Sequence, residues 1–145
     1  MQLSAAGLAF IQRFEGFSPT VYRDAAGLPT IGYGHLLVRG EERGFVQPLS
    51  EEKAARLLAA DVVVAERAVR RSIAVALTQS QFDALVSFTF NLGSGVLERS
   101  TLRRVINRGE EAAIAGEWMR WVWAGGRKLP GLARRRAAEL ALYQA

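Results

Sequence analysis

The chain has 145 residues, half of them hydrophobic, enough for one domain whose core buries roughly two-thirds of the surface of the unfolded chain. Nineteen Lys and Arg against 14 Asp and Glu give a formal charge of +5 and a pI near 10.4, a balance that suits a polyanionic partner such as nucleic acid, an anionic membrane face or a cell wall without choosing among them. The absence of cysteine excludes a disulfide framework and thiolate chemistry, one histidine excludes a histidine-rich metal site, and no run of about 18 apolar residues exists to span a membrane.

The first residues carry a short apolar run with no basic stretch ahead of it, so a secretory leader is not expected. Ser4 is a plausible N-cap. Leu8, Ile11 and Glu15 then recur at helical spacing, which puts Glu15 in the last turn on the apolar face. Gly16 can take positive φ and stop the helix there. Two extended runs, 20–24 and 28–33, flank Ala25-Ala26-Gly27 and predict a hairpin with a short glycine-containing loop. Strand alternation would set Thr20, Tyr22 and Asp24 on one face with Val21 and Arg23 on the other, leaving Asp24 and Thr30 close together across the turn. Singly, a carboxylate at a helix end, an Asp before a turn and a Thr in a strand are ordinary structural choices. Together they match what glycoside cleavage requires, a proton-donating carboxyl and a second, ionised carboxylate across the bond. Glu15 has the apolar setting and Asp24 the polar one.

Residues 36–47 are polar and read as a loop or a short third strand closing the sheet. Ser50 caps a long helix over about 51–71, with Glu51 and Glu52 in its first turn and Leu58, Val62, Ala65 and Val69 along one face. Such a rod is roughly 30 Å long. Thr78-Gln-Ser-Gln81 is a capping-box pattern opening a central helix with Phe82, Leu85, Val86 and Thr89, which ends at Asn91-Leu92-Gly93. Ser100 or Thr101 caps a short helix through Leu102, Val105 and Ile106, and Glu110-Glu111 open another that carries Ile114, Trp118 and Trp121. Three tryptophans within 118–123 suggest sugar stacking, but the spacing of Trp118, Trp121 and Val122 favours a core role. The stretch 125–131 reads as a loop, and the last helix carries Leu132, Leu140 and Tyr143 with the basic run Arg134-Arg135-Arg136.

Glu15, Asp24 and Thr30, at that spacing and followed by Ile-Gly-Tyr-Gly-His, resemble the signature of the phage-type lysozymes, glycoside hydrolase family 24. Phe90-Asn91-Leu92-Gly93-Ser-Gly resembles a second motif of that family, and Leu-Pro-Gly-Leu-x-Arg-Arg-Arg-x-x-Glu its closing pattern. The resemblance runs from Leu8 to Tyr143. It implies an α+β, lysozyme-like single domain over 1–145: a small antiparallel sheet in an N-terminal lobe of about 1–50, a connecting helix, and a helical lobe of 72–145 across a cleft. It also implies a muramidase that hydrolyses the β-1,4 bond between N-acetylmuramic acid and N-acetylglucosamine in peptidoglycan and lyses the host. A catalytically silent wall-binding module and a lytic transglycosylase are the alternatives.

By position, Glu15 would be the general acid, with Asp24 and Thr30 holding the hydrolytic water. Gly34, Leu36, Phe90 and Asn91 are the substrate-binding candidates. The family places an acid at Asp61, which makes it the expected ion-pair partner of His35, and one of the three arginines of the final helix would approach the glutamate. No metal or cofactor is implied. The partner is peptidoglycan rather than nucleic acid, and stable membrane insertion is not expected. The protein would be a monomer, made in the host cytoplasm without a leader or anchor, and would depend on a separate membrane-permeabilising protein to reach the wall.

Overall fold

The computed structural model describes all 145 residues, which form two compact units, Leu8–Val63 and Met1–Gly7 with Val64–Ala145. Helix α1, Ala5–Glu15, begins where the Ser4 hydroxyl accepts the Gly7 N–H at 2.9 Å, a cap of about 1 kcal/mol. It stops where Gly16 takes φ +71° and returns its N–H to the Gln12 carbonyl. Strands β1 (Ser18–Arg23), β2 (Pro29–Gly32) and β3 (His35–Leu36) make one antiparallel sheet in that order.

Tyr22 pairs with Thr30 and Thr30 with Leu36, so these three side chains form one cross-strand row; Ile31, one residue on, points to the opposite face and is fully buried. The alternation expected for β1 is not found. An irregularity between Ser18 and Tyr22 sets four steps of β1 against two of β2, and every residue of the strand after Ser18 is exposed. Asp24 falls just beyond the strand, in the turn.

Under the sheet lies helix α2, Glu51–Asp61, capped by Ser50, which accepts the Lys53 N–H at 3.1 Å. Ile31, Leu37, Leu49 and Ala54 form the core between them, with Phe17, Tyr33, Phe45 and Leu57 packed around. Gly32 permits the approach of sheet to helix: a Cβ there would stand 3.1 Å from that of Ala54, and its φ is +67°. A 3₁₀ turn over Glu41–Phe45 completes this unit. The helix expected over 51–71 is two helices. Val62 separates α2 from α3, Val63–Ser72, with ψ flattened to −11° and its N–H reaching the Ala60 and Leu58 carbonyls. The break coincides with Val62-Val63-Val64, three β-branched residues in a row, which are among the poorer helix formers.

In the other unit, α4, Gln79–Leu92, opens with the full capping box of Thr78 and Gln81, and all of residues 82–89 are buried. A helix buried all round is a core helix. Around it lie α5 (Ser94–Arg99), α6 (Thr101–Asn107, capped by Ser100), α7 (Glu111–Trp118) and α8 (Pro130–Gln144). The stretch read as a loop from Gly125 contains a hairpin, β4 (Trp123–Ala124) and β5 (Arg127–Lys128). Gly125 and Gly126 have φ +58° and +74°, and two successive positive φ values are what a two-residue type I′ turn demands.

Candidate active site

Glu15 is the last residue of α1 and is half-buried. Its carboxylate lies against the turn between β2 and β3, where a Cβ built on Gly34 would meet the Glu15 Oε2 at 3.3 Å. Gly34 also holds φ +76°, so the position tolerates a side chain neither in conformation nor in space. The expected substrate residue Gly34 and the expected acid are therefore neighbours.

Asp24 is held by its own loop. Its Oδ1 accepts the N–H groups of Ala26 and Leu28, both at 2.9 Å, and its backbone N–H donates to the Leu28 carbonyl at 2.9 Å. These are Asx-turn bonds, and they leave Oδ2 outside the bracket. The Thr30 hydroxyl donates to that same Leu28 oxygen at 2.9 Å, and Thr30 is only 2% exposed. Asp24 N and Thr30 Oγ1 are thus no further apart than twice that distance. The tie through one peptide is what sequence spacing could not supply; spacing indicated only their proximity. Leu36 stands beside Thr30 in the cross-strand row and is 51% exposed.

His35 and Asp61 are brought together, Nδ1 to Oδ2 at 2.8 Å, and Nε2 lies 3.1 Å from Glu41 Oε1. Two carboxylate acceptors can both be satisfied only by the doubly protonated ring. Burial alone would pull the histidine pKa down, but hydrogen bonds to Glu41 and Asp61 and their charges outweigh it and the net shift is upward. The Glu41 carboxyl is held below its ordinary value, first by the Val38 N–H and then by His35. Asp61 also closes α2, where an unpaired negative charge would oppose the helix dipole. Sequence reading missed Glu41 because it sits in a stretch that showed only polarity.

A raised histidine pKa stabilises the fold fully below the unfolded value near 6.5 and is lost as pH rises through the folded value; a lowered Glu41 pKa stabilises above about 4.5 and is lost as pH falls. The contribution of the cluster is therefore greatest between these limits. The melting temperature of the wild type should fall relative to His35→Asn as pH rises from 6 to 9, and parallel curves would refute the role.

In the other unit, Phe90 and Asn91 occupy the last turn of α4, and Asn91 Oδ1 accepts an N–H of Arg136 at 2.8 Å. Glu139 is wholly buried and collects Ser87 Oγ at 2.7 Å, Arg135 Nε at 3.2 Å, Arg136 Nη2 at 2.9 Å and the Trp118 indole N–H at 3.2 Å. The Arg136 guanidinium also lies 5.3 Å over the Phe88 ring. Breaking such a buried pair by removing one partner costs about 3–5 kcal/mol. The basic run is thus not a solvated face: Arg135 and Arg136 are interior and only Arg134 is exposed. Glu139, three and four residues on, was the legible signal for that. Trp118 is core, as its spacing indicated, with edge contacts to Phe88 and a tilted contact to Tyr143.

A mostly helical chain with a small three-stranded antiparallel sheet and a two-stranded hairpin, whose first helix ends in a carboxylate against the three-stranded sheet, is lysozyme-like in fold. The Phage lysozyme family model matches residues 12–139, and the chain belongs to that family. It is 41% identical over 145 residues to an endolysin of Bacillus phage B103, covering 99% of this chain and 54% of that protein. The chain spans about half the length of the Bacillus phage endolysins it matches. Among solved structures, a lysozyme of phage P22 superposes with TM-score 0.89 at 34% identity, covering 100% of this chain and 99% of the other. The muramidase domain of SpmX from Asticaccaulis excentricus superposes with TM-score 0.88 at 34% identity, covering 99% and 98%.

Proposed function

We propose that the chain is a muramidase that hydrolyses the β-1,4 bond between N-acetylmuramic acid and N-acetylglucosamine in peptidoglycan and serves as an endolysin in host lysis. The observation that carries this reading is the bracket in which Asp24 N–H and the Thr30 hydroxyl share the Leu28 carbonyl, with Glu15 standing at the end of α1 against the neighbouring turn. Because the Thr30 proton is committed to that carbonyl, its oxygen faces an incoming water as an acceptor, and so does Asp24 Oδ2. A water giving one proton toward each turns a lone pair outward as the nucleophile, with Asp24 as the base. Glu15 supplies the proton to the leaving sugar oxygen. Gly34 and Leu36, beside these groups, bind the glycan in this reading, and Phe90 and Asn91 are assigned a glycan-binding role of their own.

The protein acts as a monomer. No helix is long and apolar enough to cross a membrane, and the reading has the enzyme made in the host cytoplasm and admitted to the wall by a separate permeabilising protein. The test is mass spectrometry of muropeptides released from purified walls. Reducing muramic ends are expected; anhydro-muramic ends would mean a transglycosylase that uses no water, and no release would mean a silent module.

A further inference from the structure

Of the three successive arginines on α8, the most deeply buried sets the direction of a side chain on α4. The Arg136 guanidinium meets Glu139 at two points, Nε 2.7 Å from Oε2 and Nη2 2.9 Å from Oε1, and lies over the Phe88 ring at 5.3 Å. A planar fork gripped along one edge and backed by a ring has no freedom to turn. The second N–H of Nη2 goes to Asn91 Oδ1, at 2.8 Å. A guanidinium only donates, so the atom of the Asn91 amide that faces it must be the oxygen, and the amide nitrogen is turned the other way. Asn91 is exposed in the last turn of α4, and its Nδ2 meets no acceptor in the chain. An asparagine in water offers either a donor or an acceptor by turning about its last bond. Here that choice is removed, and two N–H groups point outward in a fixed direction.

We infer that Asn91 is a specificity-determining donor that reads the acetamido carbonyl of a wall sugar, and that Arg136 is the residue that positions it. Hydroxyl oxygens, the commonest polar atoms of a glycan, both donate and accept, so they adapt to either end of an amide. The acetamido carbonyl only accepts, and it recurs on every ring of a polymer of N-acetylated sugars. A freely turning amide would serve hydroxyls equally well. Fixing it through a buried ion pair adds discrimination against ligands that bring no acceptor to that place, because the outward N–H groups then go unpaired on binding. The inference rests on the wall-hydrolase reading and adds to it what Asn91 recognises and what holds it.

Binding is measured by cosedimentation with purified sacculi and with the same sacculi after chemical de-N-acetylation, using the chain with Glu15→Gln so that the walls are not consumed. This parent should prefer the acetylated walls. Adding Asn91→Ala, which changes no charge, should weaken binding to acetylated walls by about three- to tenfold, the worth of one hydrogen bond, and leave binding to the others unchanged. Asn91→Asp still accepts from Arg136 but turns a carboxylate oxygen outward, and it should reverse the preference in favour of the free amines. Arg136→Lys keeps a charge beside Glu139 but lacks the arm that reaches Asn91. It should lose part of the acetyl preference, a ratio that a change in stability alone does not move. Melting curves certify the fold, and since Asn91 is exposed its variants carry the test whatever the buried site tolerates. A preference unchanged by Asn91→Ala overturns the inference, as does an equal loss on both walls, which would mark a contact to hydroxyls. A preference that survives Arg136→Lys intact overturns the positioning role. Failure of the broader reading looks different, since the wild-type chain would then release no muropeptides at all.

Discussion

Replacing Glu15 by glutamine should leave a folded protein whose rate of wall hydrolysis is down by about 10² to 10⁴-fold or more, the range a positioned proton donor contributes. Glutamine keeps the size and planarity of the side chain, so the end of α1, the left-handed Gly16 that follows it and the close packing on Gly34 are all preserved. What it cannot do is release a proton to a departing sugar oxygen. The alkoxide leaving group then departs unprotonated, and Asp24, whose Oδ1 is held by its own loop amides, is not free to take over. Initial rates on purified walls, with melting curves to certify the fold, decide the point. A folded Glu15→Gln protein with wild-type activity would remove Glu15 from the chemistry.

The candidate site was legible because it is local. Glu15, Asp24, Gly34 and Thr30 lie within 20 residues of one another, and over that distance helix stops, hairpin turns and strand pairing nearly determine which side chains meet. The helix caps were legible for the same reason, with Ser50, Thr78 and Ser100 all found accepting the N–H three residues on. Contacts between distant residues were not. Periodicity says that a face of α4 is buried, but not that Asp83 would receive the Ser4 N–H at 3.0 Å from 79 residues away, or Ser87 reach Glu139 across 52. It understated the helix too, which is buried all round.

Besides the alternation of β1, two further local features were misread for physical reasons that can be named. The break at Val62 depends on modest propensity differences against a strong amphipathic pattern, and the pattern dominated the reading. The Trp123–Lys128 hairpin is two residues per strand, too short for alternation to register, although the Gly-Gly pair between two exposed dipeptides carries the type I′ signal.

Hydrolysis should invert the anomeric centre, so that the first-formed product is the α anomer. A retaining enzyme sets its carboxyls about 5–5.5 Å apart and attacks with one of them, whereas an inverting enzyme needs about 6.5–9.5 Å to admit a water. The Asp24 loop favours the second course. Its Oδ1 is spent on two amides, which fixes the carboxylate in its turn rather than freeing it to travel to a sugar carbon. The buried Thr30 hydroxyl, with its proton fixed on Leu28, would be idle in a covalent route; in the water route it is the second acceptor that aims the nucleophile. Asp24→Asn should therefore lose most activity, since an amide takes no proton from water, and it should also loosen the loop only slightly because its oxygen can still accept from Ala26 and Leu28. Thr30→Val keeps the shape of the side chain and removes only the hydroxyl. It should cost about tenfold or more, a positioning loss rather than a chemical one. Proton NMR of fresh product, read before mutarotation, tests the whole arrangement: a β anomer appearing first would mean retention, and Thr30 would then have no water to aim.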